Sequence, residues 1–146
     1  MPLKDVLGTS DQYAAVFYPG GHGPLFDLHE SQDSQKLIQE FYNAGKPVAA
    51  VCHGPIVFAE VKVGDKYLVD GKKVTGFTNE EEEAFQLTEA VPVLLETRLK
   101  ERGGVWENAP KMESRVVVDG QLITGQNPAS AGPIGEAIAK AIGKCC

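Results

Sequence analysis

Cys52 and His53 stand side by side in "KPVAAVCHGP" (47–56), where an apolar run meets Gly54 and Pro55. A thiolate is a strong nucleophile and an imidazole carries a proton near neutral pH. The adjacent pair is therefore suited to covalent catalysis with proton transfer. Its position matters as much as its chemistry. A strand that turns sharply into a helix, with a nucleophile at the bend, is the layout of a nucleophile elbow. Such a bend lifts the side chain over the C-terminal edge of the sheet, where open α/β folds bind ligands. The N-terminus of the following helix is expected to lower the thiol pKa. The backbone N–H of His53 is a candidate oxyanion donor.

A free cysteine after an apolar run also reads as a small buried hydrophobe. Three features favour the functional assignment. Gly54-Pro55 makes the turn and opens a helix. His53 is a costly residue to place at a buried strand end for packing alone. Gly20-Gly21 closes another apolar run, "AAVFYPGG" (14–21), with bare backbone that a ligand can approach.

The elements around these residues alternate. Residues 14–21 and 47–51 read as buried strands. Residues 31–45 place Leu37, Ile38 and Phe41 at helical spacing, with Ser31 or Asp33 as N-cap and Gly45 closing the helix. Residues 54–61 start a second helix at Pro55. This order argues for βαβ units and a parallel sheet. Asp70-Gly71 within 66–77 and Asp119-Gly120 within 115–125 each predict a hairpin. Residues 91–104 and 130–144 read as further helices, and Trp106 is expected to pack on the sheet.

The composition bounds the class. The chain has 146 residues, 42% hydrophobic and 23% charged, which fits one globular domain over 1–146. The net charge of −6, without a Lys/Arg cluster, disfavours nucleic-acid and anionic-membrane partners. No apolar stretch is long enough to span a bilayer, and "MPLKDVLGTSDQ" lacks the apolar core of a signal peptide. Cys52 has no obvious disulfide partner and Cys145-Cys146 sit at the C-terminus, which points to a reducing compartment, cytoplasmic or nuclear.

"TNEEEEAF" predicts a short helix capped by Thr78 or Asn79, and one of Glu80 to Glu83 within reach of His53 would fix its tautomer. The remaining three glutamates are expected to be a solvated acidic cap. His22, in "GGHG", lies beside the expected pocket, and His29 reads as a surface or helix-start residue. The spacing of His22, His29, His53 and Cys52 matches no standard zinc pattern, so no metal is expected. "PGGHGP" lacks the Lys and Ser/Thr of a phosphate-binding loop. Asn127-Pro128 reads as an ordinary turn before the terminal helix.

The segments "AAVFYPGGHGPLFDL", "GKPVAAVCHGP", "VTGFTNEEEEAF" and "LITGQNPASA" together resemble the ThiJ/PfpI superfamily, a branch of the class I glutamine amidotransferase-like fold. The resemblance covers nearly the whole chain and is strongest to the glyoxalase III and heat-shock-chaperone group. It implies an α/β flavodoxin-like three-layer sandwich with a mainly parallel sheet plus β-hairpins. It implies Cys52 as nucleophile, His53 as acid/base and Glu82 as the residue that orients His53. Gly20, Gly21 and the His53 N–H would supply oxyanion donors, with His22 and Asn127 at the substrate. The implied reaction converts methylglyoxal, a small 2-oxoaldehyde, to D-lactate through a hemithioacetal, without cofactor or metal. The alternative is a stress-responsive holdase or cysteine redox sensor; amidase chemistry ranks below both.

Superfamily members usually carry a further βαβ segment before the "FYPGG" strand, with a Glu that hydrogen-bonds the nucleophilic Cys. No counterpart precedes that strand in this sequence. The chain is therefore expected to be N-terminally truncated, and to cover the exposed edge as a homodimer or by association with a chain that supplies the segment.

Overall fold

The computed structural model describes residues 1–143; Cys145 and Cys146, singled out above, lie outside the described residues. The core sheet has four strands: β1 (Val16–Tyr18), β2 (Val48–Val51), β7 (Val116–Asp119) and β8 (Leu122–Gly125). Their order is β1-β2-β8-β7, with the first three parallel and β7 antiparallel at the far edge. Every residue of β2 and β8 is buried. That is why "PVAAV" reads as a continuous apolar run instead of an alternating one.

Helices cover both faces. On one face α1 (Gln32–Asn43) buries Leu37, Ile38 and Phe41 against Val48 and Ala50. Full burial of each such side chain stabilises by roughly 1.5–3 kcal/mol. Ser31 caps α1 by accepting from the Ser34 N–H at 3.3 Å, and Gly45 follows it with φ +76°. On the other face α4 (Ala131–Ala141) packs Ile134 against Ala49, Val51 and Ile123. The two sides of β2 thus feed two cores, and the result is the expected three-layer α/β, mainly parallel arrangement. Among the described residues no helix is long and apolar enough to cross a membrane.

The Asp119-Gly120 hairpin forms, with Asp119 opposite Leu122 and Gly120 at φ +59°. The hairpin expected over 66–77 does not. Lys66–Tyr67 (β4) pairs instead with Lys62–Val63 (β3), and Lys73–Val74 (β5) pairs in parallel with Val105–Trp106 (β6). The reason lies at Gly71. Its N–H is taken by the Gly103 carbonyl at 2.9 Å, and the Val105 N–H by the Lys72 carbonyl at 2.8 Å. The chain leaving the turn is therefore drawn along 105–106 and does not fold back on 66–67. Trp106 accordingly packs from this small sheet against the main core.

Two helices are shorter than the sequence pattern suggests. Residues 54–58 form one 3₁₀ stretch, and α3 spans only Leu95–Glu101. His29, expected at the surface, is buried at 8% exposure. The tight turn at Gly23–Leu25 buries Leu25 and offers the Pro24 carbonyl to the His29 N–H at 3.1 Å.

Candidate active site

β2 ends at Val51, and the next residue reverses the chain. Cys52 has φ +62°, left-handed backbone that costs an L-residue about 1–2 kcal/mol. Two backbone bonds hold it there. Its N–H donates to the Gly125 carbonyl at 3.0 Å, and its carbonyl accepts from the Phe77 N–H at 2.9 Å. Glycines give the bend room. A Cβ on Gly54 would lie 2.7 Å from the Tyr18 carbonyl oxygen, and one on Gly20 would lie 2.6 Å from the Val51 carbonyl oxygen. The elbow expected from "AVCHGP" is thus present, locked by the ends of β1 and β8.

Cys52 Sγ lies 3.4 Å from Nδ1 of His53, and Nε2 of His53 lies 2.6 Å from Oε2 of Glu82. Of the four glutamates Glu80 to Glu83, Glu82 is the one hydrogen-bonded to His53. It sits on α2 (Asn79–Ala84), which Thr78 opens with a capping box to Glu81. Phe77 packs its ring on His53 at 4.3 Å between centroids. His53 is 1% exposed, while Cys52 is half-buried.

The electrostatics correct one expectation. The thiol pKa is raised, not lowered. Burial is the main cause, and the negative charges of Glu81 and Glu82 add to it; the N–H groups of His53 and Gly21 pull the other way. The 3₁₀ stretch that follows is too short to present an α-helical dipole to the sulfur. Burial likewise pushes His53 below its ordinary value, although Glu82 opposes this. The pair therefore rests as neutral thiol and neutral imidazole. With Nε2–H donated to Glu82, the Nδ1 lone pair faces Sγ. The arrangement suits a general base that takes the thiol proton as the sulfur attacks.

A pocket of about 430 Å³ opens above these groups at the C-terminal ends of the parallel strands. Gly21, His22, Cys52 and His53 line it. Gly20 does not line it; it supports the elbow from beneath. Asn127 is also elsewhere. Its Nδ2 donates to Glu81 Oε1 at 2.8 Å and to the Glu113 carbonyl at 2.7 Å, so its side chain is spent on structure. Its neighbour Pro128 lines the pocket instead, with Phe77 and Phe85. Sequence reasoning did not assign these apolar walls, although Phe77 and Phe85 bracket the "TNEEEEAF" segment.

Glu81 is the second correction. It is fully buried, not a solvated cap, because its carboxylate collects donors from Thr78, Met112, Gln126 and Asn127. These bonds hold its pKa below the ordinary carboxylate range against the cost of burial. His22 adds a contact that chain spacing does not show: its Nε2 lies 3.1 Å from Oε1 of Glu82. One carboxylate thus serves two imidazoles, whose ring centroids lie 4.0 Å apart with the planes tilted by 37°.

The profile of the DJ-1/PfpI family matches residues 2–141. The chain is 36% identical over 141 residues to a protein of Candida albicans named glyoxalase 3, covering 88% of this chain and 59% of that one. It is 36% identical over 131 residues to the glutathione-independent glyoxalase HSP31 of Saccharomyces cerevisiae, covering 84% of this chain and 55% of that one. Among solved structures, the Francisella tularensis protein titled Rapid Encystment Protein 24 KDa superposes with a TM-score of 0.93 at 33% identity, over 97% of this chain and 63% of that one. The chain therefore spans somewhat more than half the length of the relatives it matches.

Proposed function

We propose that this chain, which belongs to the DJ-1/PfpI family, carries the catalytic centre of a glutathione-independent glyoxalase. It would convert methylglyoxal and related 2-oxoaldehydes to 2-hydroxy acids, D-lactate in the case of methylglyoxal. The observation that carries this reading is the unbroken relay from Cys52 Sγ through His53 to Glu82 at the floor of a pocket. The names of two relatives above point to the same reaction class.

The steps follow from the neutral pair. His53 Nδ1 takes the thiol proton as Sγ adds to the aldehyde carbon. The N–H groups of Gly21 and His53, already directed at the sulfur, would donate to the new oxyanion. The oxyanion takes a proton, giving the hemithioacetal. His53 then removes the hydrogen on C1 as a proton, an enediol forms, and protonation at C2 gives a thioester. C1 is oxidised and C2 reduced within one molecule, so no external oxidant is required. Water hydrolyses the thioester, releasing the hydroxy acid and regenerating the thiol.

A redox sensor is less well supported. Sensor cysteines need a low pKa, and burial and the two carboxylates push this thiol the other way. The test is Cys52→Ala. The reading expects methylglyoxal consumption to vanish while the far-ultraviolet spectrum is kept; unchanged consumption would overturn it. For partners, we propose association along β1. This strand is at the sheet edge, and Phe17 and Tyr13 remain exposed there. Sedimentation at a mass above that of one chain supports this, and a monomer at all concentrations refutes it.

A further inference from the structure

His22, His53 and Glu82 come from three separate segments: the loop after β1, the elbow and α2. Each offers one donor atom, and the three atoms lie within 4.8 Å of one another. Nε2 of His22 and Nε2 of His53 approach the two oxygens of the same carboxylate, at 3.1 and 2.6 Å. We infer that these three side chains form a binding site for a divalent cation of the zinc class, through two imidazole nitrogens and one carboxylate oxygen.

The donor set suits such an ion. Zinc takes His nitrogen at about 2.0–2.1 Å and carboxylate oxygen at about 2.0–2.2 Å, which puts tetrahedral neighbours roughly 3.3 Å apart. The hydrogen-bonded separations are within an ångström of that, so the cation replaces two N–H contacts with a small retreat of Glu82. Imidazole donors exclude calcium and magnesium as good fits. The His22 side chain is 40% exposed at the pocket wall, which gives the ion access and a fourth position for water. Cys52 is not a ligand: its sulfur faces Nδ1, the other nitrogen of His53. The Nδ1 contact to Sγ and the Phe77 ring fix the orientation of that imidazole.

Occupation would change the proton inventory. A neutral imidazole bound through Nε2 carries its proton on Nδ1. The atom that faces Sγ then becomes a donor and no longer accepts the thiol proton. The zinc-loaded form is therefore an off-state for turnover. This consequence rests on the glyoxalase reading; the binding site does not.

The test uses the full chain carrying Cys145→Ser and Cys146→Ser, since adjacent thiols would themselves hold zinc. Cobalt(II) is the probe, followed by absorption and equilibrium dialysis at neutral pH. The expected result is one cobalt per chain, visible d–d bands of tetrahedral intensity, no thiolate-to-cobalt charge-transfer band, and displacement by zinc. His22→Ala and Glu82→Gln should each weaken binding at least about tenfold, with folding checked by thermal melts. No binding, binding indifferent to both substitutions, or a strong sulfur band would overturn the site. Methylglyoxal turnover by the metal-free protein is assayed in parallel. Cobalt binding without turnover leaves the site standing and sinks the enzyme; turnover without binding does the reverse.

Discussion

Nε2 of His53 sits 2.6 Å from Oε2 of Glu82, with both side chains almost wholly sealed from solvent. A hydrogen bond this enclosed sets the tautomer of the imidazole and aims its free lone pair along the other ring nitrogen, toward Cys52. Catalysis by such a pair does not require a thiolate at rest. It requires a base held at the right atom when the sulfur attacks.

Glu82→Gln keeps the shape of the side chain and removes its charge. The amide can present either oxygen or NH₂ to Nε2, so the tautomer is no longer enforced. The expected outcome is a loss of kcat/KM for methylglyoxal on the order of 10²-fold or more, the scale of general acid–base catalysis. Steady-state kinetics on the folded variant decide it. A variant within about threefold of the parent would mean that the carboxylate does not orient the base.

Gly20 and Gly21 separate room from strain. A Cβ at Gly20 would meet the Val51 carbonyl oxygen at 2.6 Å and Cys52 Cβ at 3.0 Å, at φ +101°. A Cβ at Gly21, φ +78°, meets nothing within 4 Å. Gly20→Ala is therefore expected to cost about 1–3 kcal/mol and to move Cys52, with kcat falling further than stability explains. Gly21→Ala should cost only the backbone strain, about 1 kcal/mol. Equal denaturation midpoints for the two would show that the close approach at Gly20 does not matter.

Glu81 carries structure next to chemistry. Removing its carboxylate leaves donors of Thr78, Met112, Gln126 and Asn127 without their acceptor. Glu81→Ala is expected to destabilise by about 3 kcal/mol or more, since each buried unsatisfied group costs about 1–3 kcal/mol. Urea unfolding measures it. A shift below about 1 kcal/mol would place these groups in contact with solvent instead.

The elbow was legible because it is local. Strand, Cys, His, Gly and Pro are consecutive, and each contributes to the bend through its own backbone preference. Glu82 was reachable only through the family resemblance, since all four glutamates look alike in a capping segment. What separates Glu81 from a solvated cap is a set of donors at 112, 126 and 127, far along the chain. The same distance hid the His22–Glu82 contact and the structural use of Asn127. The thiol pKa was misjudged for a related reason. A helix dipole was inferred from the adjacent sequence, whereas burial and two carboxylates from α2 decide the direction. Asp70-Gly71 turned as expected, yet Gly103 chose the partner strand.

His53 and Cys52 make stability fall at opposite ends of the pH range. His53 has a folded pKa below its ordinary 6.5, so the unfolded chain binds that proton first. The stability it contributes is complete above 6.5 and is lost as pH falls through that value. Glu60 and Glu81 are lowered from 4.5 and contribute loss only below about that pH. The interval between belongs to His53, with a slope of at most about 1.4 kcal/mol per pH unit for one proton. Cys52 works in the opposite sense. Its folded pKa lies above 9.0, so the unfolded thiol ionises first and stability falls as pH rises through 9.0. Tyr18, whose pKa burial raises from 10.0, adds its loss only above about that pH, so chemical denaturation from pH 5 to 10 should show a plateau between the two limbs. His53→Gln is expected to flatten the acidic limb above pH 5, and Cys52→Ala the alkaline one. If either limb survives its substitution, the pair does not rest in the neutral form, and the base-assisted attack gives way to a preformed thiolate–imidazolium pair.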